Sequence, residues 1–182
     1  MGDPFDELLK TLTAKAPKDF HWSSERYPDE DHGSTTMRAH YSGLRAVFAD
    51  WPMPRDKGMP VGGLEGVEEH YRELSGRYGY QVPVPENVLN SRSYRLMGDK
   101  KFDEAIAIFK RNVEMYPGSA NVYDSLGEGY ENSGKLDLAA KNFQKAIEVG
   151  TKANDPNLSD YSNHLKRVAA EAEAAKQGAA HK

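Results

Sequence analysis

The chain has 182 residues, of which 38 % are hydrophobic, and a formal net charge of −4 from 24 basic and 28 acidic side chains. Its length suits one or two small domains, and so mild an acidity gives no electrostatic reason to expect a nucleic acid or an anionic membrane as partner. The absence of cysteine excludes disulfides, thiolate catalysis and cysteine zinc sites but leaves the compartment open, and no run approaches the ~20 apolar residues that cross a bilayer.

The opening, Met1-Gly2-Asp3-Pro4-Phe5-Asp6, has neither the basic nor the apolar region of a signal peptide. Phe5, Leu8, Leu9 and Leu12 then recur at helical spacing, with Asp3 and Pro4 as cap and first turn. Phe20 and Trp22 alternate with polar residues and predict a short strand, which Pro28 and the acids Asp29-Glu30-Asp31 break. Ser34 is placed to cap a second helix carrying Met37, Tyr41, Leu44, Phe48 and Trp51 on one face. Residues 1–51 are therefore read as a first segment of helix, short strand and helix. Residues 52–63 hold Pro52, Pro54, Gly58, Pro60, Gly62 and Gly63 without periodicity and read as a linker.

From 64 to 177 the chain reads as a helical domain. Leu64, Val67, Tyr71, Leu74 and Tyr78 form one stripe, stopped by Gly79, Pro83 and Pro85. Beyond it the sequence matches itself at a shift of 34 residues: Leu89 falls on Tyr123, Phe102 on Leu136, Ala105 on Ala139, Phe109 on Phe143 and Asn112 on Ala146. That period is the length of a tetratricopeptide repeat, one helix-turn-helix per copy. Tyr123, Leu126, Gly127, Tyr130, Ala139, Phe143 and Ala146 make the fuller copy; Leu89, Ser93, Leu96, Ala105, Phe109 and Pro117 make the weaker one. Small residues at Gly127, Ala139, Ser93 and Ala105 let paired helices approach while the aromatic residues fill the space around them. Gly98 and Gly134 are expected at the turns. Thr151 stands where the second copy should have its closing proline, so the array ends there. A last helix from about Pro156 to Lys176 caps it, with Leu158, Tyr161, Leu165, Val168 and Ala172 inward and charge outward. The tail, 178–182, is expected to fray. The fold class is thus mainly α: tandem hairpins with a capping helix behind a short segment of another kind.

Tetratricopeptide families bind extended peptides in a groove lined by the first helix of each hairpin. The register puts Asn87, Asn90, Tyr94 and Met97 of the first copy there, with Asn121, Asp124, Glu128, Glu131 and Asn132 of the second. Asp124, Glu128 and Glu131 share one helix face. The groove is expected to be acidic and polar, and suits a basic or amide-rich segment. It lacks the lysines and arginines that would clamp a C-terminal carboxylate.

The stretch Phe20-His21-Trp22 through Asp31-His32-Gly33-Ser34, then Ala39-His40-Tyr41 and Gly43-Leu44-Arg45-Ala46-Val47-Phe48, resembles the C-terminal end of bacterial α/β-hydrolase esterases of the enterochelin-esterase type. Some of these continue through a Gly-Tyr segment into tetratricopeptide hairpins, as Tyr78-Gly79-Tyr80 does here. The resemblance implies that this chain is the tail of a longer serine esterase, and that His32 corresponds to the triad histidine, general base to a serine. No G-x-S-x-G elbow is present, so His32 is an orphan in this chain and no ester turnover is expected from it. His21, His40, His70, His164 and His181 show no metal-binding spacing, and neither a metal nor a cofactor is expected.

Three readings follow. The first is a module binding a peptide, or docking on the missing catalytic domain. The alternative is a carboxylic-ester hydrolase to which this chain supplies His32 and a regulatory tail. The third is a homodimer covering Phe20, Trp22, Phe48 and Trp51.

Overall fold

The computed structural model describes residues 3–18, 20–53, 55–56, 59–60 and 63–180. Met1 and Gly2 of the opening, Pro54, Gly58 and Gly62 of the expected linker, and His181 and Lys182 of the expected tail lie outside the described residues. The molecule is mainly α, and it divides into two compact units, Met1–Met53 and Pro54–Lys182.

In the first unit, α1 spans Pro4–Lys15. Asp3 caps it by accepting from the Phe5 backbone N–H at 2.9 Å, and proline takes the first helical position, where its missing N–H costs nothing. The second helix, α2, spans Ser34–Val47. Its cap is not Ser34, as expected, but Asp31. The Asp31 carboxylate accepts from the backbone N–H groups of Gly33 and Ser34, both at 2.8 Å, while the Ser34 hydroxyl accepts from the Asp31 N–H at 3.0 Å. Phe20 and Trp22 do not form the expected strand. A lone strand leaves its backbone groups without a ladder, and none of the described residues of this unit offers one. Instead Arg26 ties the segment back to α1, reaching Asp3 at 2.9 Å and Asp6 at 2.7 Å with its guanidinium 4.7 Å above the Phe5 ring. No described residue of the unit is buried.

The second unit opens on a two-stranded antiparallel ribbon, β1 (Arg55–Asp56) with β2 (Met59–Pro60), where only a linker was expected. Helix α3 (Gly63–Tyr78) buries Val67, His70 and Leu74. Two hairpins follow. In the first, α4 (Glu86–Gly98) pairs with α5 (Phe102–Met115); in the second, α6 (Ala120–Asn132) pairs with α7 (Leu136–Ala153). Both ends of α4, and the start of α5, recur 34 residues later in α6 and α7.

The packing explains the recurrence. Ala105 and Ala139 are fully buried, as are Phe109 and Phe143. A Cβ added at Gly127 would meet the Phe143 ring at 2.6 Å, and one added at Gly129 would meet Phe109 at 3.0 Å. These glycines are what lets each ring lie against the neighbouring backbone. Burying such a ring contributes about 1.5–3 kcal/mol.

The turns also match, with Gly134 in its expected role but Gly98 not in its own. Each first helix ends with a backbone N–H reaching five residues back, Lys101 to the Leu96 carbonyl at 2.8 Å and Lys135 to the Tyr130 carbonyl at 2.9 Å. This closure needs one residue with positive φ just before it. In the second hairpin that residue is Gly134 (φ 76°); in the first it is Lys100 (φ 61°). Gly98 is simply the last helical residue, with nothing within 4 Å of a Cβ added there.

Helix α8 (Leu158–Ala180) packs along α7, burying Tyr161 and Val168. Tyr161 joins Ala120 and Ala146 in a small cluster, flanked by Tyr123, Ile147, Val149 and Leu158. The helix runs on to Ala180 through part of the tail expected to fray, because its alanines favour helix even at the surface. Among the described residues no helix is long and apolar enough to cross a membrane.

Candidate functional site: the face shared by α4, α6 and α8

The first helices of the two hairpins lie side by side, and short polar side chains join them. The Tyr94 hydroxyl donates to Ser125 Oγ at 3.0 Å, and Asn121 Nδ2 donates to Glu86 Oε1 at 2.7 Å. The Tyr94 ring also stands edge-on to Phe109, with centroids 5.2 Å apart. Desolvation of its hydroxyl between the helices pushes the Tyr94 phenol above its ordinary range, although the residue as a whole keeps an exposed edge. From behind, the fully buried Asn112 donates through Nδ2 to Asn90 Oδ1 at 2.8 Å and to the Glu86 carbonyl at 3.1 Å. The acceptor of Asn90 is thereby engaged, and its amide N–H₂ is the group left to face outward.

The sequence-derived site residues separate into two sets. Asn87, Tyr94, Asn121 and Asn132 are exposed, and Asn90 and Met97 are half-buried. Asn87, Asn90, Tyr94 and Asn121 stand together on the α4–α6 face. Asn132 is turned back on its own helix, its Nδ2 donating to the Glu128 carbonyl at 2.9 Å.

The three acids behave differently from expectation. Asp124, Glu128 and Glu131 do not line an open acidic groove, because α8 lies over them. Arg167 holds Glu131 in a two-point fork, with both N–O distances at 2.7 Å. His164 Nδ1 lies 2.9 Å from Asp124 Oδ1, and its Nε2 lies 3.9 Å from Glu128 Oε1. Only 10 % of the Asp124 side chain, 25 % of Glu128 and 11 % of Glu131 stays exposed. Burial pushes the Asp124 carboxyl above the usual aspartate value, against the lowering effect of the His164 hydrogen bond. The side chains that meet these acids, His164 and Arg167, come from α8 of the same chain.

His164 and Arg167 are the residues that sequence reasoning missed. They sit three apart on α8 and match acids spaced four and seven apart on α6, so the pairing of two helical faces was the available signal.

His32 occupies an exposed turn just before α2. Its carboxylate neighbours face elsewhere: Asp31 caps α2, and Glu30 pairs with Arg38 at 2.9 Å. Both acids are drawn below their ordinary carboxylate values, Glu30 chiefly by its hydrogen bond from Ser34 and Asp31 by the backbone N–H groups it caps. Among the described residues no carboxylate or serine hydroxyl is seen on the His32 imidazole.

No model of a known protein family matches the chain, and no curated protein is significantly similar to it.

Proposed function

We propose that the two hairpins are tetratricopeptide-type repeats forming a protein-interaction or scaffolding module, and that the chain is the C-terminal part of an enterochelin-esterase-like serine hydrolase. The observation that carries the first half is the recurrence of helix boundaries and buried positions, with Gly127 against Phe143 and Gly129 against Phe109. Amphipathic helices alone do not require small residues at these points; a stacked hairpin array does. The binding surface is the uncovered part of the groove, Asn87, Asn90, Tyr94, Met97 and Asn121. Its amides and phenol suit the backbone of an extended, amide-rich segment, and the covered acids take no part in it.

The second half rests on the sequence resemblance around His32. A unit that buries none of its described side chains, with Phe20, Trp22 and Leu44 among those exposed, is what a segment built to lie on a larger domain would look like. That domain, bearing the serine and the acid, is the partner this reading calls for.

Fluorescence polarisation with labelled extended peptides rich in asparagine, glutamine and lysine tests the groove. Peptides should be retained, and the pair Asn87→Ala with Asn121→Ala should weaken them at least about tenfold, the loss of one or two neutral hydrogen bonds. No retained peptide, or retention indifferent to both substitutions, contradicts the reading. The chain alone should not hydrolyse a chromogenic ester; turnover lost on His32→Ala would place catalysis here after all.

A further inference from the structure

The contact between α6 and α8 holds more negative charge than the chain's own cations balance. Arg167 is committed to Glu131 through both carboxylate oxygens. Asp124 and Glu128, one turn apart on α6, are left with His164 between them. Beside a neutral imidazole, the cation whose field reaches these two carboxylates is Arg167, which is already fixed on Glu131. Desolvated like charges are unstable unless a cation or protons join them.

The donors are also the right kind and close enough. One nitrogen of His164 and one oxygen each from Asp124 and Glu128 lie within 4.8 Å of one another. A tetrahedral zinc ion with bonds of about 2.0–2.2 Å holds its ligand atoms somewhat closer than that, a difference side-chain torsions can close. The ligands come from two different helices, so the ion would bridge elements rather than decorate a surface.

We propose that Asp124, Glu128 and His164 bind a first-row divalent cation, with Zn²⁺ the best match, and that the ion fastens α8 to α6. Nitrogen and carboxylate donors without a thiolate suit Zn²⁺, Co²⁺ or Ni²⁺ rather than a soft ion. Three protein ligands leave a fourth position for water. The ion binds the lone pair of the ligating imidazole nitrogen and one oxygen of each carboxylate, and protons compete for the same atoms, so binding weakens in acid.

The test uses the whole chain, freed of metal with a chelator and then titrated with Zn²⁺ by calorimetry and with Co²⁺ by visible absorption. One ion should bind per chain, Co²⁺ should develop the intense d–d bands of low coordination, and the melting temperature should rise with metal. Glu128→Gln removes a ligand that makes no hydrogen bond to the imidazole, and His164→Gln keeps a polar side chain against Asp124. Each should weaken Zn²⁺ binding at least about tenfold, as changes even in an outer ligand shell do. Arg167→Lys, which touches only the neighbouring pair, should leave it within about twofold, and circular dichroism checks that all variants stay helical. Absence of stoichiometric binding overturns the proposal, as does binding indifferent to Glu128→Gln. A protein stabilised by mild acid alone, with no added effect of metal, would identify the cluster as an imidazolium bridge and likewise overturn it.

Discussion

The two hairpins share their helix boundaries but not their contents. Where the second has Gly127, Gly134 and Ala146, the first has Ser93, Lys100 and Asn112. Ser93 spends its hydroxyl on the Leu89 carbonyl, 3.0 Å away within its own helix. Lys100 takes the left-handed conformation that glycine takes without cost. Asn112 brings an amide into a fully buried place, bonds it to Asn90 and Glu86, and leaves its Oδ1 without a partner. One backbone plan therefore tolerates different side chains, provided that the rings of Phe109 and Phe143 keep a gap to enter. The second hairpin meets the plan with small residues, the first with polar ones that find local partners.

The largest effect should come from the part the hairpins have in common. Phe109→Ala and Phe143→Ala should each cost about 3–5 kcal/mol in urea unfolding, since both rings are fully buried. Similar losses keep the two copies equivalent; a Phe109 loss near zero would show that the first hairpin is held by something else.

Exchanging the differing core residues should be less symmetrical. Ala146→Asn forces a larger side chain into the closely packed Tyr161 cluster and should cost about 3 kcal/mol from crowding. Asn112→Ala should cost about 1–2 kcal/mol, because Asn90 is half-buried and can turn to water. Equal losses would remove the distinction drawn between the copies.

Gly127→Ala should destabilise by about 1–3 kcal/mol, the added methyl meeting the Phe143 ring. Ser93→Ala, at the equivalent place, should stay within about 1 kcal/mol of the parent, one local hydrogen bond being at stake. The turn substitutions come last. Lys100→Gly should stabilise by about 0.5–1 kcal/mol, and Gly134→Ala should destabilise by about 1 kcal/mol, both read from thermal unfolding.

These contrasts also mark what the sequence could reveal. The spacing of Ala105, Phe109, Ala139 and Phe143 located both hairpins, because stacking forces the same small and large residues to recur at a fixed interval. The stripe Leu158, Tyr161, Leu165, Val168 and Ala172 likewise pointed to the face α8 lays on α7. What stayed hidden was long-range or depended on single dihedral angles. Nothing local says that His164 and Arg167 will lie over acids 40 and 36 residues earlier. An acidic helix face looks the same in sequence whether it meets solvent or another helix. Gly98 drew attention because it is glycine, whereas the strained place two residues on is filled by a lysine. Phe20 and Trp22 alternated like a strand, but a strand exists only with a neighbour to pair with, which periodicity cannot supply.

Close nesting of α6 on the Phe143 ring is best tested by a double-mutant cycle between Gly127 and Phe143, with stability measured in urea. With the ring intact, Gly127→Ala should be destabilising; in a Phe143→Leu background, where the crowding is relieved, the same change should be neutral or slightly stabilising, a coupling of about 1–3 kcal/mol. An identical cost in both backgrounds would mean that the glycine and the ring do not meet, and the hairpin register would fall with them.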